Sequence, residues 1–308
     1  MTLQQLFYVI TISDCGSMNK AAEVLFISQP TLTSAVKELE NEIGISIFQR
    51  TGKGTVPTLE GEEFLVYARQ LYQQYELISE KYSDPAGIKR KFGVSSQHYS
   101  FAVKAFVETV KQFDMQKYEF AMREEKTIDV ITDVSNLKSE IGLLYINDFN
   151  QKIITKMLRD NDLEFHNLIT CKAYVYIWKN HPLAKNESIN FSELEPYPCL
   201  SFEQGEKGSF YFSEEILSTN EYPRTIKATD RSTMLNLMVG LNGYTLCSGI
   251  ICEELNGSDF IAVPFRSDDR NPNPTMQIGY IVKKNSHLSE LGEIYIDEVT
   301  KYLKSCTS

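Results

Sequence analysis

Residues 17–50, SMNKAAEVLFISQPTLTSAVKELENEIGISIFQR, constrain the fold more than any other stretch of the chain. They read as two short helices with a tight break between them, followed by the opening of a β-hairpin. Ser17 is placed to cap the first helix, which turns Ala21, Ala22 and Leu25 inward, and Ser28 to cap the second. Pro30 is tolerated there because first-turn N–H groups have no intrahelical partner. Wound at the helical period, residues 29–43 put Leu32, Ala35, Val36, Leu39 and Ile43 on one stripe. Pro30, Thr33, Ser34, Lys37 and Asn41 fall on the opposite face. Short hydroxyls, an amide and one lysine let a helix sit deep in a DNA major groove, although the same face also suits an ordinary solvated helix. The layout is that of a helix-turn-helix with a wing.

Beyond that helix, residues 45–57 alternate loosely around Thr51-Gly52-Lys53-Gly54, a turn-rich tip between two short strands. Lys53 at the tip is either a phosphate or minor-groove contact or a solvated loop lysine. From Thr58 the pattern becomes a long helix, with Thr58 as its cap and Glu60, Glu62 and Glu63 complementing the dipole at its start. Phe64, Ala68, Leu71, Tyr75, Ile78 and Tyr82 recur at alternating spacings of four and three, which is a heptad seam. The seam stops before the break at Asp84-Pro85-Ala86-Gly87. It fits a partner helix from a second subunit, with packing against the chain's own head as the alternative.

After Gly87 strands and helices alternate, which predicts a mostly parallel sheet. Strands are expected at 91–94, 118–122, 141–146, 173–178, 199–202, 244–247 and 278–282, and helices around Phe101–Val110, Thr233–Leu241 and Leu288–Leu303; residues 127–137 read as mixed. The expected class is multidomain, α followed by α/β. A winged helix-turn-helix spans residues 1–57, a dimerising linker helix 58–84, and a two-lobed α/β domain 88–308. Its first lobe is expected at 88–160 and 277–308, its second at 161–276.

Charge is the awkward quantity. The chain carries −10 overall, and residues 1–85 hold six cations against eleven acids, a balance of −5. Avid non-specific DNA binding is therefore not expected. Placement partly answers this: Lys20, Lys37, Arg50 and Lys53 lie in the helix-turn-helix and wing, while acids gather beyond Thr58. Few phosphate contacts per head imply that affinity comes from several heads acting together. No apolar run approaches the roughly 18 residues that span a bilayer, and the start of the chain, without a basic segment, reads as a first helix through Leu3, Leu6, Phe7 and Ile10. Six scattered cysteines without a C-x-x-C pair and four distant histidines point to reduced thiols in a cytoplasmic protein, with no metal or cofactor expected.

Leu3-Gln4-Gln5-Leu6-Phe7, Ser17-Met18-Asn19-Lys20-Ala21-Ala22, Ser28-Gln29-Pro30-Thr31-Leu32-Thr33, Leu39-Glu40, Gly44, Phe48-Gln49-Arg50 and Thr58-Leu59-Glu60-Gly61 resemble, in order and spacing, the amino-terminal pattern of LysR-type transcriptional regulators. The chain departs from that pattern at Ser34, where a long polar residue is frequent, and at Glu60, where a small one is usual. Lys179-Asn180-His181-Pro182-Leu183-Ala184, Phe191-Ser192-Glu193-Leu194 and Met238-Val239-Gly240-Leu241-Asn242-Gly243-Tyr244 extend the resemblance into the family's effector-binding half, which shares its fold with periplasmic binding proteins. The resemblance implies a dimerising linker helix, with homotetramers through the effector domains. It marks Lys20, Ser28, Gln29, Pro30, Thr31, Thr33, Ser34, Lys37, Arg50 and Lys53 as candidate DNA-facing residues.

Ligands of open α/β sheets gather beyond the carboxyl ends of strands, where helix N-termini point. Ser95-Ser96-Gln97 follows one such strand, and by resemblance it lines the effector pocket together with Tyr145, Ser201, Phe202 and Thr245; Asp230, before the Thr233 helix, is a further candidate. The serines fit plain N-capping equally, and Tyr145 and Phe202 fit core packing. A dipole-backed serine loop favours an anionic group such as a carboxylate. The expected function is a regulator whose promoter binding is modulated by a small-molecule effector. An enzyme is the rival, though no G-x-S-x-G, P-loop or Rossmann fingerprint occurs. A transport-type binding protein would share only the second fold.

Overall fold

The computed structural model describes residues 1–52, 54–82, 90–113, 118–205, 210–267 and 275–306. They form two units, Met1–Ile88 and Lys89–Ser308. In the first, α1 (Leu3–Cys15) starts in a capping box between Thr2 and Gln5 and stops at Gly16 in the left-handed region. Ser17 caps α2 (Met18–Val24), and Ser28 caps α3 (Gln29–Ile43), which ends at left-handed Gly44. Val9, Ile12, Ala21, Ala22, Leu32, Val36 and Leu39 make the core between these helices, with Ala35 and Ile43 against its edge. Strands β1 (Phe48–Thr51) and β2 (Gly54–Pro57) pair antiparallel as the wing. The wing is fixed to α3 by Glu40, whose Oε1 accepts the N–H groups of Ile47 and Phe48 at 2.6 and 3.2 Å. It is fixed to α1 where Thr55 N–H donates to the Gly16 carbonyl at 3.0 Å.

Thr58 caps α4 (Leu59–Tyr82), accepting from Gly61 N–H at 2.9 Å. A Cβ at position 61 would lie 2.0 Å from the Ile47 carbonyl oxygen, so the helix starts in contact with the wing's backbone. The expected seam divides at this point. Ala68 is buried against Leu6 and Ile10 of α1 and serves the head's own core, while Phe64 packs beside it half-buried. Packing against the chain's own head thus accounts for the first half of the seam. Leu71, Tyr75 and Ile78 remain exposed at 48, 43 and 59%. The Tyr82 side chain and Lys53 lie outside the described residues, as does the break at 84–87.

The second unit has two lobes. The first is a five-stranded sheet of β3 (Arg90–Ser96), β4 (Tyr118–Glu124), β5 (Ile141–Ile146), β6 (Leu163–Lys172) and β12 (Thr275–Lys283), ordered β4-β3-β5-β12-β6. Helices α5 (Ser100–Gln112) and α11 (Glu290–Ser305) pack on one another over Phe92, Phe101, Ala105, Tyr295 and Val299. Helices α6 (Thr127–Ser135) and α7 (Gln151–Asp160) bury Val130, Val134, Ile154 and Leu158 with Leu144 and Ile281. The sheet is mixed: β3 pairs parallel with β4 and β5, but β12 runs antiparallel to β5 and β6. The mostly parallel expectation fails because β12 returns from the second lobe against the direction of its neighbours.

That second lobe holds β7 (Tyr174–Trp178), α8 (Phe191–Leu194), β8 (Cys199–Phe202), β9 (Thr225–Ala228), α9 (Arg231–Leu241), β10 (Thr245–Cys247), α10 (Glu253–Asn256) and β11 (Phe260–Pro264). Strands β10-β7-β11 form an antiparallel sheet and β8-β9 a parallel pair. The boundary expected at residue 161 falls too early, since β6 completes the first lobe's sheet and the chain crosses at Ala173. Residues 127–135, read as mixed, are helical, and α7, β6 and β9 carry too few buried apolar residues to announce themselves.

Candidate DNA-reading face and inter-lobe cleft

The outer face of α3 is open. Pro30, Thr31, Ser34, Lys37 and Asn41 are exposed, and Thr33 is half-buried. Thr33 donates its hydroxyl to the Gln29 carbonyl at 2.9 Å and accepts from Gln29 Nε2 at 2.8 Å, so Gln29 braces the side chain. Ser28 Oγ accepts Thr31 N–H at 3.2 Å and lies 2.7 Å from the Thr31 hydroxyl, which makes it first of all the cap. Lys20, Lys37 and Arg50 are exposed, and none pairs with an acid among the described residues. The head's acids are partly spent elsewhere: Glu40 on the wing, Glu42 on the Met1 amino group, Asp14 on Arg69. The unfavourable net charge is thus separated from the face that carries the free cations. Exposed, unpaired donors on a short-side-chain helix are what groove recognition needs.

The second unit is built differently. Glu214 of the second lobe reaches the loop before α5, where its Oε2 accepts His98 N–H at 2.8 Å and lies 2.9 Å from His98 Nδ1. Gln204 Nε2 donates to Glu214 Oε1 at 2.8 Å, and the Phe202 ring stacks on the His98 imidazole at 3.8 Å. The side chains of His98 and Glu214 are only 6 and 5% exposed, so breaking this pair would leave buried polar groups without a partner. Thr127 N–H donates to Gln204 Oε1 at 3.1 Å, and the Thr127 hydroxyl to the Phe212 carbonyl at 2.7 Å. Arg231, at the start of α9, pairs with Glu124 at the end of β4. A cavity of about 90 Å³ lies between the lobes, bounded by His98, Tyr99, Tyr176, Phe202, Glu214, Glu215, Arg231, Met234, Thr245 and Met276. A second, of about 820 Å³, lies in the second lobe beside Ser201, Ser213, Glu221 and Lys227, and Phe202, Glu215 and Leu246 line both.

Of the residues expected at the effector pocket, Phe202 and Thr245 line the inter-lobe cavity and Ser201 the larger one. Four of the remaining five, Ser95, Gln97, Tyr145 and Asp230, are engaged within the protein. Ser95 donates to Asp133 Oδ2 at 2.8 Å and lies 2.9 Å from Ser139 Oγ, inside the first lobe under α6. Gln97 is fully buried and has its amide engaged: Nε2 donates to Thr127 Oγ1 at 2.6 Å, and Oε1 accepts from Tyr99 OH at 2.7 Å and Tyr145 N–H at 3.0 Å. Tyr145 is buried, its hydroxyl within 3.0 and 3.1 Å of the Ser213 and Glu215 carbonyls. Asp230 is the exposed N-cap of α9, held by Thr233. Ser96 is buried, and its hydroxyl has no partner among the described residues. Ser95 and Gln97 find their side-chain partners within the first lobe, the Tyr145 hydroxyl reaches carbonyls of the second, and a linear sequence displays neither set.

Sequence reasoning missed His98, Thr127, Gln204, Glu214, Glu215 and Arg231. The one local signal was the adjacent acids of Phe212-Ser213-Glu214-Glu215-Ile216-Leu217, set within an apolar run. Burial, with Glu214 beside it, pushes the Glu215 carboxyl up to about 8. Burial also lowers Arg231 to about 10. In the first lobe, burial and then Asp133 raise Glu125 to about 7. The carboxylate position expected to receive an effector at the start of α5 is taken by Glu214, a carboxylate of the chain itself.

No helix among the described residues is long and apolar enough to cross a membrane, and none of their His, Cys, Asp and Glu side chains gather in threes that could hold a metal. The chain is 27% identical to the RuBisCO operon transcriptional regulator of Allochromatium vinosum over 67% of its length and 65% of that protein. It is 22% identical to the HTH-type transcriptional activator CmpR of Synechocystis over 96% of the chain and 94% of that protein. Among solved structures, full-length OxyR C199D from Pseudomonas aeruginosa superposes with a TM-score of 0.67 at 18% identity, covering 97% of this chain and 98% of that one. The LysR family regulator CbnR, complexed with its target DNA, gives 0.55 at 16% identity, covering 98% of this chain and all of that one. The model of bacterial regulatory helix-turn-helix proteins of the lysR family matches residues 3–62, and that of the LysR substrate binding domain residues 143–304, more than half of the chain by itself. The protein belongs to the LysR family of bacterial transcriptional regulators.

Proposed function

We propose that α3 and the wing read promoter DNA, that α4 pairs two subunits, and that a small molecule seated between the lobes modulates this binding. The observation that carries the reading is the contrast in commitment: the reading face keeps Ser34, Lys37 and Arg50 exposed, while the lobes are bridged around a cavity by side chains of both. Lys20, Lys37 and Arg50 supply phosphate contacts, and Thr33, Ser34 and Pro30 meet base edges. Leu71, Tyr75 and Ile78 form the contact between subunits, with tetramers through the second unit. A ligand between the lobes acts by binding one lobe arrangement better than another. Such a protein works in the cytoplasm, where promoter DNA is, and needs no catalytic step. The relatives' names, all of regulators, support this reading. Sequencing genomic fragments captured by the purified protein tests it: recurrent promoter fragments carrying paired half-sites are expected, and a random sample of the genome would refute it.

A further inference from the structure

We propose that the inter-lobe cavity takes a small organic cation whose ammonium or guanidinium group pairs with the Glu215 carboxylate. The proposal rests on the reading that the effector sits between the lobes, and it names the ligand's chemistry. Glu215 is 6% exposed and lines the cavity. Its Oε1 accepts Phe202 N–H at 2.7 Å, and no cation pairs with it among the described residues. A buried carboxylate without a counter-charge is costly, and structures hold such groups paired, protonated or ligand-bound.

Among the residues that bound the cavity, the Arg231 guanidinium is already paired with Glu124, and the His98 ring is held by Glu214. An arriving anion would find the Arg231 guanidinium taken and the Glu214 and Glu215 carboxyl groups beside it, whereas a cation would supply the counter-charge that an ionised Glu215 lacks. The walls suit its organic part: Met234, Leu235, Ile250 and Met276 are apolar, and Tyr99 and Phe202 add aromatic surface. At about 90 Å³ the space is smaller than the roughly 150 Å³ cavity that holds benzene, which limits the ligand to a few heavy atoms.

The titratable groups around Glu215 are Glu214 on its own segment, Tyr145 on β5, Tyr99 before α5, and Cys199 and Tyr222 in the second lobe; His98 and Arg231 bound the same cavity, and Lys227 lines the larger one that Glu215 also reaches. Arg231 is held by Glu124, His98 by Glu214, and no ion pair joins Lys227 to Glu215 among the described residues. With its carboxyl raised to about 8, Glu215 holds a proton at neutral pH, and pairing with a cation displaces that proton to solvent. Affinity should then rise about tenfold per pH unit up to about pH 8 and level off above it.

The test uses the full-length protein with methyl-, ethyl- and n-propylammonium and guanidinium chlorides against sodium formate, acetate and propionate at matched ionic strength. Thermal shift and calorimetry run from pH 6 to 9. The expected result is a shift by at least one cation, with release of about one proton below pH 8. Glu215→Gln should weaken that cation at least tenfold, and Glu221→Gln, beside the larger cavity, should leave it unchanged. If Glu215→Gln does not fold, the wild-type proton release and a Glu215→Asp variant carry the test, the latter binding more weakly with the same pH slope. Carboxylates binding in place of cations, with the effect lost in Phe202→Ala, would overturn the ligand class and leave the cleft as the effector site. Cation binding indifferent to both Glu215→Gln and Phe202→Ala would overturn the site as well. No shift with either series overturns the proposal.

Discussion

The outer face of α3 and the lining of the inter-lobe cleft are both polar, but they use polar atoms in opposite ways. On α3, Ser34, Lys37 and Asn41 point to solvent and keep their hydrogen-bonding capacity for another molecule. Around the cleft, Gln97, His98, Glu214 and Tyr145 spend theirs on one another across as many as 116 residues of sequence. The difference teaches that polarity alone does not mark a binding residue; the state of its partners does. A buried amide whose donors and acceptor are occupied is a strut. An exposed lysine without an acid beside it is available.

The comparison breaks most visibly if Gln97 proves dispensable. Gln97→Ala would leave the buried Tyr145 N–H and the Tyr99 hydroxyl without a partner, at about 1–3 kcal/mol each, and open a cavity as well. The second unit should lose about 3 kcal/mol or more, about 6–12 °C in calorimetry. An unchanged melting temperature would return Gln97 to the set of free ligand contacts. Next in size is the open half of α4. Leu71→Asp puts a charge into the proposed subunit contact and should convert dimers to monomers in light scattering, while Ala68→Asp should unfold the head instead, because Ala68 is already internal.

A subtler effect separates Glu215 from its neighbours. The folded state keeps the Glu215 proton up to about pH 8, whereas the unfolded chain releases it near the ordinary 4.5. Between those values the folded state binds more protons, so stability falls as pH rises, by about 1.4 kcal/mol per unit. Glu215→Gln should flatten urea-derived stability across pH 5–8 by close to one proton; Glu125, raised in the same direction, leaves a residual slope. An unaltered slope would mean that Glu215 is ionised in the cleft. The smallest effect belongs to Thr33. Its hydroxyl already serves Gln29, so Thr33→Ala should relax preference at one base position by about 1 kcal/mol, the low end for a base contact. A selection of bound sequences on both proteins would show the change, and identical preferences would remove Thr33 from the reading set.

The head was legible because its function is local. The caps at Ser17, Ser28 and Thr58, the stripe from Leu32 to Ile43 and the wing's turn all follow from neighbours within a few residues. The seam misled at Ala68 because a heptad repeat records an apolar face without saying whether α1 or a second subunit covers it. Strand β6 escaped notice because it lies at the sheet's edge with half-exposed, polar-rich positions. The cleft was legible only as a place. Loops at strand ends located Phe202 and Thr245, but Glu214 and His98 meet only through the crossing of two lobes, and no spacing rule connects positions so far apart.

The central claim is that the outer face of α3 is held in reserve for DNA. The direct test is a DNA titration over a series of salt concentrations, comparing wild type with Lys37→Ala on a captured promoter fragment, alongside a thermal melt of each protein. Because Lys37 is exposed and pairs with no acid among the described residues, the melts should coincide. The slope of log affinity against log salt should fall in magnitude by about 0.9 for each phosphate that the variant no longer neutralises. Superimposable titrations at every salt concentration, with both proteins folded, would contradict the claim.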